Sequence, residues 1–145
     1  GAGFAAAVSG GGLSDLTRKY TTVDGVGNTK FYHLENYQGR MQGPYYENQQ
    51  AYLDNSPIWN VDRVNTPLLL YAGKEDYHVN RNQSIAFYLG LKRAGKESSL
   101  LLYPDQGHAF SNLKAIHDLN DRILEWFEHY LKRGPKSLWM KANAY

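Results

Sequence analysis

The chain of 145 residues contains no cysteine. That excludes disulfides, thiolate metal sites and a cysteine nucleophile. Long apolar runs are also missing. The longest, such as Leu68 to Ala72, fall far short of the roughly 20 residues a spanning helix needs, so no membrane span is expected. Neither sign of charge dominates: 16 Lys and Arg face 14 Asp and Glu, for a formal net charge of +2. The basic residues are scattered and form no stripe suited to phosphate backbones, which argues against nucleic acid. No His, Asp and Glu group has zinc-site spacing, so no metal is expected. There is no Gly-x-Ser-x-Gly, no internal repeat and no low-complexity stretch.

Aromatic residues are plentiful. Twelve Tyr and three Trp, within a hydrophobic fraction of 42%, indicate one globular domain with a real core. The first residues enter a buried-looking run almost at once, from Phe4 to Val8. This reads as a chain cut from a longer protein, and it leaves the compartment, periplasm or cytoplasm, undetermined.

Phe4 to Val8, closed by Ser9-Gly10-Gly11-Gly12, predicts a strand and a loop. Leu13 to Tyr20 predicts a helical turn begun near Ser14 or Asp15. Asp24-Gly25 and Gly27-Asn28 mark an exposed loop. Phe31 to Tyr46 is aromatic and poorly periodic, and reads as irregular structure or short helices. Glu47 to Leu53 predicts a short helix stopped by Asn55-Ser56-Pro57.

From Pro67 onward the pattern becomes regular. Leu68 to Ala72 and Leu100 to Tyr103 are continuous apolar runs of the kind buried on both faces of a parallel sheet. Between them, Asn82 to Ala94 predicts an amphipathic helix with Ile85, Tyr88, Leu89 and Leu91 inward and Gly95 as its cap. Leu113 to Leu131 predicts a long helix with Ile116, Leu119, Ile123, Phe127 and Tyr130 on one face, ended by Gly134-Pro135. The tail from Lys136 lacks a clear period, and Leu138, Trp139 and Met140 are expected to pack back on the body. The succession is βαβα, hence an α/β fold with a mostly parallel sheet flanked by helices.

Two loops then leave the same sheet edge, at the carboxyl ends of the strands, where open α/β sheets place their sites. One reads Gly73-Lys74-Glu75-Asp76-Tyr77-His78-Val79 and the other Tyr103-Pro104-Asp105-Gln106-Gly107-His108. A nucleophilic hydroxyl needs a base near neutral pH, which His supplies. The imidazole needs a carboxylate to fix its tautomer. Asp76 and His108 are the candidates; Glu75 competes with Asp76, and Asp105 reads as a turn former. The blander reading is a surface His beside a Gly and an Asp that caps a turn.

Order and spacing add to this. Phe4 to Leu16, Tyr52 to Ile58, Val64 to Leu70, the Gly-x-x-Asp-x-x-Val of Gly73, Asp76 and Val79, and the pairs Tyr103-Pro104 and Gly107-His108 together resemble the prolyl oligopeptidase family. The likeness runs from Phe4 to Leu131 and extends to its dipeptidyl peptidase IV and acylaminoacyl-peptidase types. It implies that residues 1–145 are the C-terminal portion of an α/β-hydrolase catalytic domain whose N-terminal half, often preceded by a β-propeller, lies outside this sequence. It implies a serine peptidase acting on short peptides through an acyl-enzyme, with Asp76 and His108 as two members of the triad and no cofactor. His78 stands where the family often has Arg or Asn, and with Val79 it is the candidate substrate contact.

The nucleophile is the chief departure. Ala7-Val8-Ser9-Gly10-Gly11 fits a loose elbow, but an elbow leads straight into a helix, and three glycines are a poor helix start. Ser9 is therefore read as structural, and the Ser as lying upstream. The fragment alone should then be inactive, and its open sheet edge should favour self-association. The rival readings are an esterase or other acyl hydrolase on the same fold, and a non-catalytic homologue that serves as a binding module. His33, His117 and His129 lie outside the matched motifs, with the last two expected on a solvated face. Tyr32, Tyr37, Tyr45 and Tyr46 are expected to cover the core rather than line a cleft.

Overall fold

The computed structural model describes residues 3–141. In chain order the elements are β1 (Ala7–Gly10), α1 (Leu16–Tyr20), α2 (Phe31–Glu35), α3 (Gln49–Asp54), a 3-10 segment (Pro57–Arg63), β2 (Leu68–Gly73), α4 (Asn82–Arg93), β3 (Ser98–Tyr103), α5 (Leu113–Lys132) and α6 (Leu138–Lys141).

The three strands form one parallel sheet in the order β1-β2-β3. Leu70 of β2 sits beside Ser9 on one side and Leu100 on the other. Strand alternation sorts the apolar runs onto two faces. Leu70 and Leu100 pack with Phe87, Tyr88 and Leu91 of α4. Leu69 points the other way, against Trp126 of α5 and Met140 of α6. Leu69, Leu91, Leu100 and Trp126 are all at 0% exposure, and each such aliphatic burial contributes about 1.5–3 kcal/mol. A smaller cluster of Leu16, Tyr20, Leu34 and Tyr52 holds α1, α2 and α3 together.

Local chemistry explains the boundaries. Asp15 caps α1 by accepting from the Arg18 amide, and Asn112 caps α5 by accepting from Lys114 and Ala115. The amides of Gly95 and Lys96 bond the carbonyls of Lys92 and Leu91, a left-handed termination that Gly95 permits at φ +69°. At the end of α5 the left-handed residue is Arg133, not Gly134.

Several expectations need correction. The first strand is Ala7–Gly10 rather than Phe4–Val8, because pairing with β2 begins only where the Ala7 amide meets the Pro67 carbonyl; Phe4 is 79% exposed. In α4 the buried apolar positions are Phe87, Tyr88 and Leu91, with Ile85 partly buried and Leu89 exposed. Leu89 lies about 200° around the helix from Phe87, on the far side from the sheet. Trp126 is the deepest residue of α5, and Leu119 is also buried, while Ile116, Ile123, Phe127 and Tyr130 are half-buried. In the tail, Trp139 and Met140 pack back as expected, but Leu138 is exposed. No helix of the described residues is long and apolar enough to cross a membrane.

Candidate active site

The loops after β2 and β3 are joined before they reach the site. The amides of Lys74 and Glu75 bond the carbonyls of Tyr103 and Gln106 at 2.8 and 2.9 Å. This close approach requires Gly73, since a Cβ there would stand 2.1 Å from the Gln106 carbonyl oxygen. Buried Gln106 then shapes the second loop. Its Oε1 accepts from the amides of Ser111 and Asn112, and its Nε2 donates to the Asp105 carbonyl. Asp105 turns the chain at φ +56°. Phe110 anchors the loop edge-on to Tyr71 and Tyr103, with ring centroids 5.8 and 5.1 Å away.

The result is a carboxylate–imidazole pair. Asp76 Oδ2 lies 2.8 Å from His108 Nδ1. The Asp76 side chain is 1% exposed and that of His108 46%. Asp76 Oδ1 accepts from the amides of His78 and Val79 at 2.9 and 2.8 Å. As a carboxylate, Asp76 offers only acceptors, so Nδ1 carries the hydrogen and Nε2 is left as a base. Glu75 is exposed and does not take that place.

Gly11, at φ +52°, presses on the pair from the β1 side. A Cβ there would lie 3.2 Å from His108 Cε1 and Nδ1 and 3.5 Å from Asp76 Oδ2. Ser9 lies within β1, opposite Leu70, with no helix directly after it. That is not an elbow.

A cavity of about 440 Å³ opens beside His108. Leu13, Leu16, Leu34 and Val79 give it apolar walls, and Lys19, Lys30, His33 and His78 give it cationic or basic ones. Lys19 is 9% exposed and donates through Nζ to the His78 carbonyl. Burial pushes the Lys19 ammonium below its ordinary pKa, and the charge of Lys30 adds to this, while Asp76 and Asp24 oppose it. Helix α1 is held in place by buried Gln83, which accepts from the amides of Ser14 and Asp15 at 2.9 and 2.8 Å.

The four sequence-predicted site residues therefore fall on one loop pair. His78 and Val79 line the cavity, and the His78 ring is 5.7 Å from that of His108. His33 also lines it, although it lies outside the matched motifs. His117 is exposed, but His129 is half-buried and donates Nδ1–H to the Gly134 carbonyl at 2.8 Å, so it helps to close α5. Of the four tyrosines assigned to the core only Tyr45 packs there; Tyr32, Tyr37 and Tyr46 are exposed, and none lines the His108 cavity. Sequence reading missed Gln106, Gln83 and Lys19. Nothing in their spacing marks them, since each matters through what it meets in space. Among the described residues, no group of three or more His, Asp and Glu could hold a metal ion.

The model of the prolyl oligopeptidase family matches residues 1–134. The acylamino-acid-releasing enzyme of Rattus norvegicus is 38% identical over 79 residues, which covers 54% of this chain and 11% of that enzyme. Dipeptidyl-peptidase 5 of Porphyromonas gingivalis is 25% identical over 135 residues, 90% of this chain and 18% of that one. Among solved structures, an acylaminoacyl peptidase in complex with Z-Gly-Gly-Phe-chloromethyl ketone superposes with a TM-score of 0.78 at 25% identity, over 95% of this chain and 22% of that chain. The chain thus spans about a tenth to a fifth of the length of the proteins it matches. Its sheet and flanking helices are part of an α/β-hydrolase fold.

Proposed function

The chain belongs to the prolyl oligopeptidase family, and from that premise we propose that the whole protein is a serine peptidase in which Asp76 and His108 serve the nucleophile. The reading is carried by one observation: His108 Nδ1 sits 2.8 Å from a buried carboxylate whose other oxygen is already held by two amides. The ring cannot turn without losing that bond, so Nε2 is the nitrogen presented to a serine hydroxyl. Nε2 takes the hydroxyl proton as the oxygen attacks a peptide carbonyl. It returns the proton to the leaving amine, and the cycle repeats with water on the acyl-enzyme. Asp76 stays ionised and steadies the imidazolium between the two transfers.

We place the nucleophile in the other half of the hydrolase domain, outside these residues. Residues 1–145 are then the C-terminal portion of that domain, with a β-propeller ahead of it in the whole protein. His78 and Val79 would touch a short peptide substrate from the cavity beside His108. Alone, the chain would lack the reacting oxygen and would be inactive.

A fluorophosphonate probe tests this. The full-length protein should be labelled on a serine, and neither its His108→Ala variant nor the 145-residue chain should be. A labelled chain would mean that one of its own serines is the nucleophile. No labelling of any form would end the hydrolase reading.

A further inference from the structure

Lys19 presents a puzzle of charge. It is 9% exposed, on a helix packed against the site, and among the described residues its ammonium is satisfied only by the His78 carbonyl. Among the described residues no carboxylate stands within ion-pair distance of it. Lys30, its cationic neighbour in the cavity, is paired with Asp24 at 2.8 Å. Asp76 is committed to His108 and to the amides of His78 and Val79. Among the described residues no acidic one lines the cavity. A buried cation with no carboxylate at ion-pair distance is costly unless something supplies the opposite charge.

We propose that this cavity is a specificity pocket for a carboxylate of the substrate, with Lys19 as its recognition residue. This rests on the hydrolase reading above, because the pocket adjoins His108. The walls fit the task. Leu13 and Val79 offer apolar surface to the methylenes of an acidic side chain, and Lys19 belongs to the same lining. His78 and His33 line the same space. The volume of about 440 Å³ accommodates a side chain together with part of the backbone that carries it. A pocket meant for an apolar group would have no use for a buried lysine in its lining.

The carboxylate could come from a Glu side chain beside the scissile bond or from the free C-terminus of a short peptide. Two matched comparisons on the full-length enzyme separate these: Glu against Gln at each residue flanking the bond, and free acid against amide at the peptide end. The wild-type enzyme should favour the charged member of one pair in kcat/KM by on the order of tenfold. Lys19→Gln, which keeps a donor for the His78 carbonyl but removes the charge, should bring that ratio close to one. Because a ratio is read, a general loss of activity from a loosened loop cancels. No preference in the wild type, or an unchanged preference in Lys19→Gln, would overturn the proposal. If the protein neither hydrolyses peptides nor takes the fluorophosphonate, the hydrolase reading fails by itself. Calorimetry with N-acetyl-glutamate amide and N-acetyl-glutamine amide then decides the pocket. A Lys19-dependent preference for the glutamate sustains it, and equal binding sinks it.

Discussion

His108 Nδ1 meets Asp76 Oδ2 at 2.8 Å across 32 residues of chain, while Asp76 Oδ1 is held by the amides of His78 and Val79. In Asp76→Asn the amide oxygen would stay on those two N–H groups and turn the NH2 toward His108. Nδ1 would then have to accept, and the hydrogen would move to Nε2, the nitrogen that should be a base. The fold should survive with kcat of the full-length enzyme reduced on the order of 10⁴-fold. Steady-state kinetics on a peptide substrate, beside a thermal melt, checks both halves. Near-wild-type kcat would take Asp76 out of the mechanism.

Gly11 offers a test that separates backbone strain from crowding at the site. It has φ +52°, and a Cβ would stand 3.2 Å from the His108 ring; Gly27 has φ +89° and open space around it. Gly11→Ala and Gly27→Ala should each cost about 1–2 kcal/mol of backbone strain. Only Gly11→Ala should also slow fluorophosphonate labelling of the full-length protein, because its methyl group pushes on the imidazole. Equal labelling of the two variants would mean that the ring has room to give.

Much of this arrangement is legible in the sequence because it rests on short-range pattern. Leu68 to Ala72 and Leu100 to Tyr103 announce buried parallel strands, and Gly73 and Gly107 bracket the loops that carry Asp76 and His108. Parallel pairing then forces the loops to one edge. What stays hidden depends on contact between distant segments. The true start of β1 is set by the register with β2, not by the apolar run itself. Trp126 is buried because α5 and α6 close over Leu69, although the five-residue stripe of Ile116, Leu119, Ile123, Phe127 and Tyr130 looks complete without it. Lys19 looks like a solvated helix residue until the Asp76 loop folds over it.

Trp126 is at 0% exposure, and among the described residues its indole Nε1 has no hydrogen-bond partner. Trp126→Phe would lose ring volume but would also remove an unpaired buried donor, and these effects oppose each other. Trp126→Ala would leave a large void beside Leu69 and Met140. Urea unfolding should therefore show a loss of about 3–5 kcal/mol for Ala. The loss for Phe should be clearly smaller. Equal losses would mean that the smaller ring does not fill the space beside Leu69 and Met140, since both substitutions remove the Nε1 donor alike.

Acid should loosen the seam between β3 and the C-terminal elements. Lys136 and the Tyr130 hydroxyl, at 2.6 and 2.8 Å, hold the Glu97 carboxyl below its ordinary range. Arg122 and Tyr103 do the same for Asp118. For a depressed carboxylate the stabilisation is complete above its unfolded pKa and is lost as pH falls through the lower folded value. Stability should thus decline as pH drops below the ordinary carboxylate range, near 4.5 for Glu97. Glu97→Gln should flatten that decline, and melts across the acid range would show it. An unchanged slope would assign the acid sensitivity to other carboxylates.

The outer edge of β1 poses the last test. The amides of Ala7 and Gly11 bond carbonyls of residues 67 and 71, so by alternation the Val8 N–H points away from β2. Among the described residues no strand pairs on that side. An open edge is a template for another chain, and the 145-residue chain studied alone should self-associate through it at high concentration. Val8→Pro removes the outward N–H and leaves the ladder to β2 intact, so it should shift the chain toward monomer in light scattering. In the full-length protein the same strand would be covered by the rest of the sheet, and Val8→Pro should instead destabilise the domain. A wild-type chain that stays monomeric at high concentration would show that the edge is protected in some other way. An associated chain indifferent to Val8→Pro would move the contact elsewhere, with exposed Phe4 and Leu138 as the first places to look.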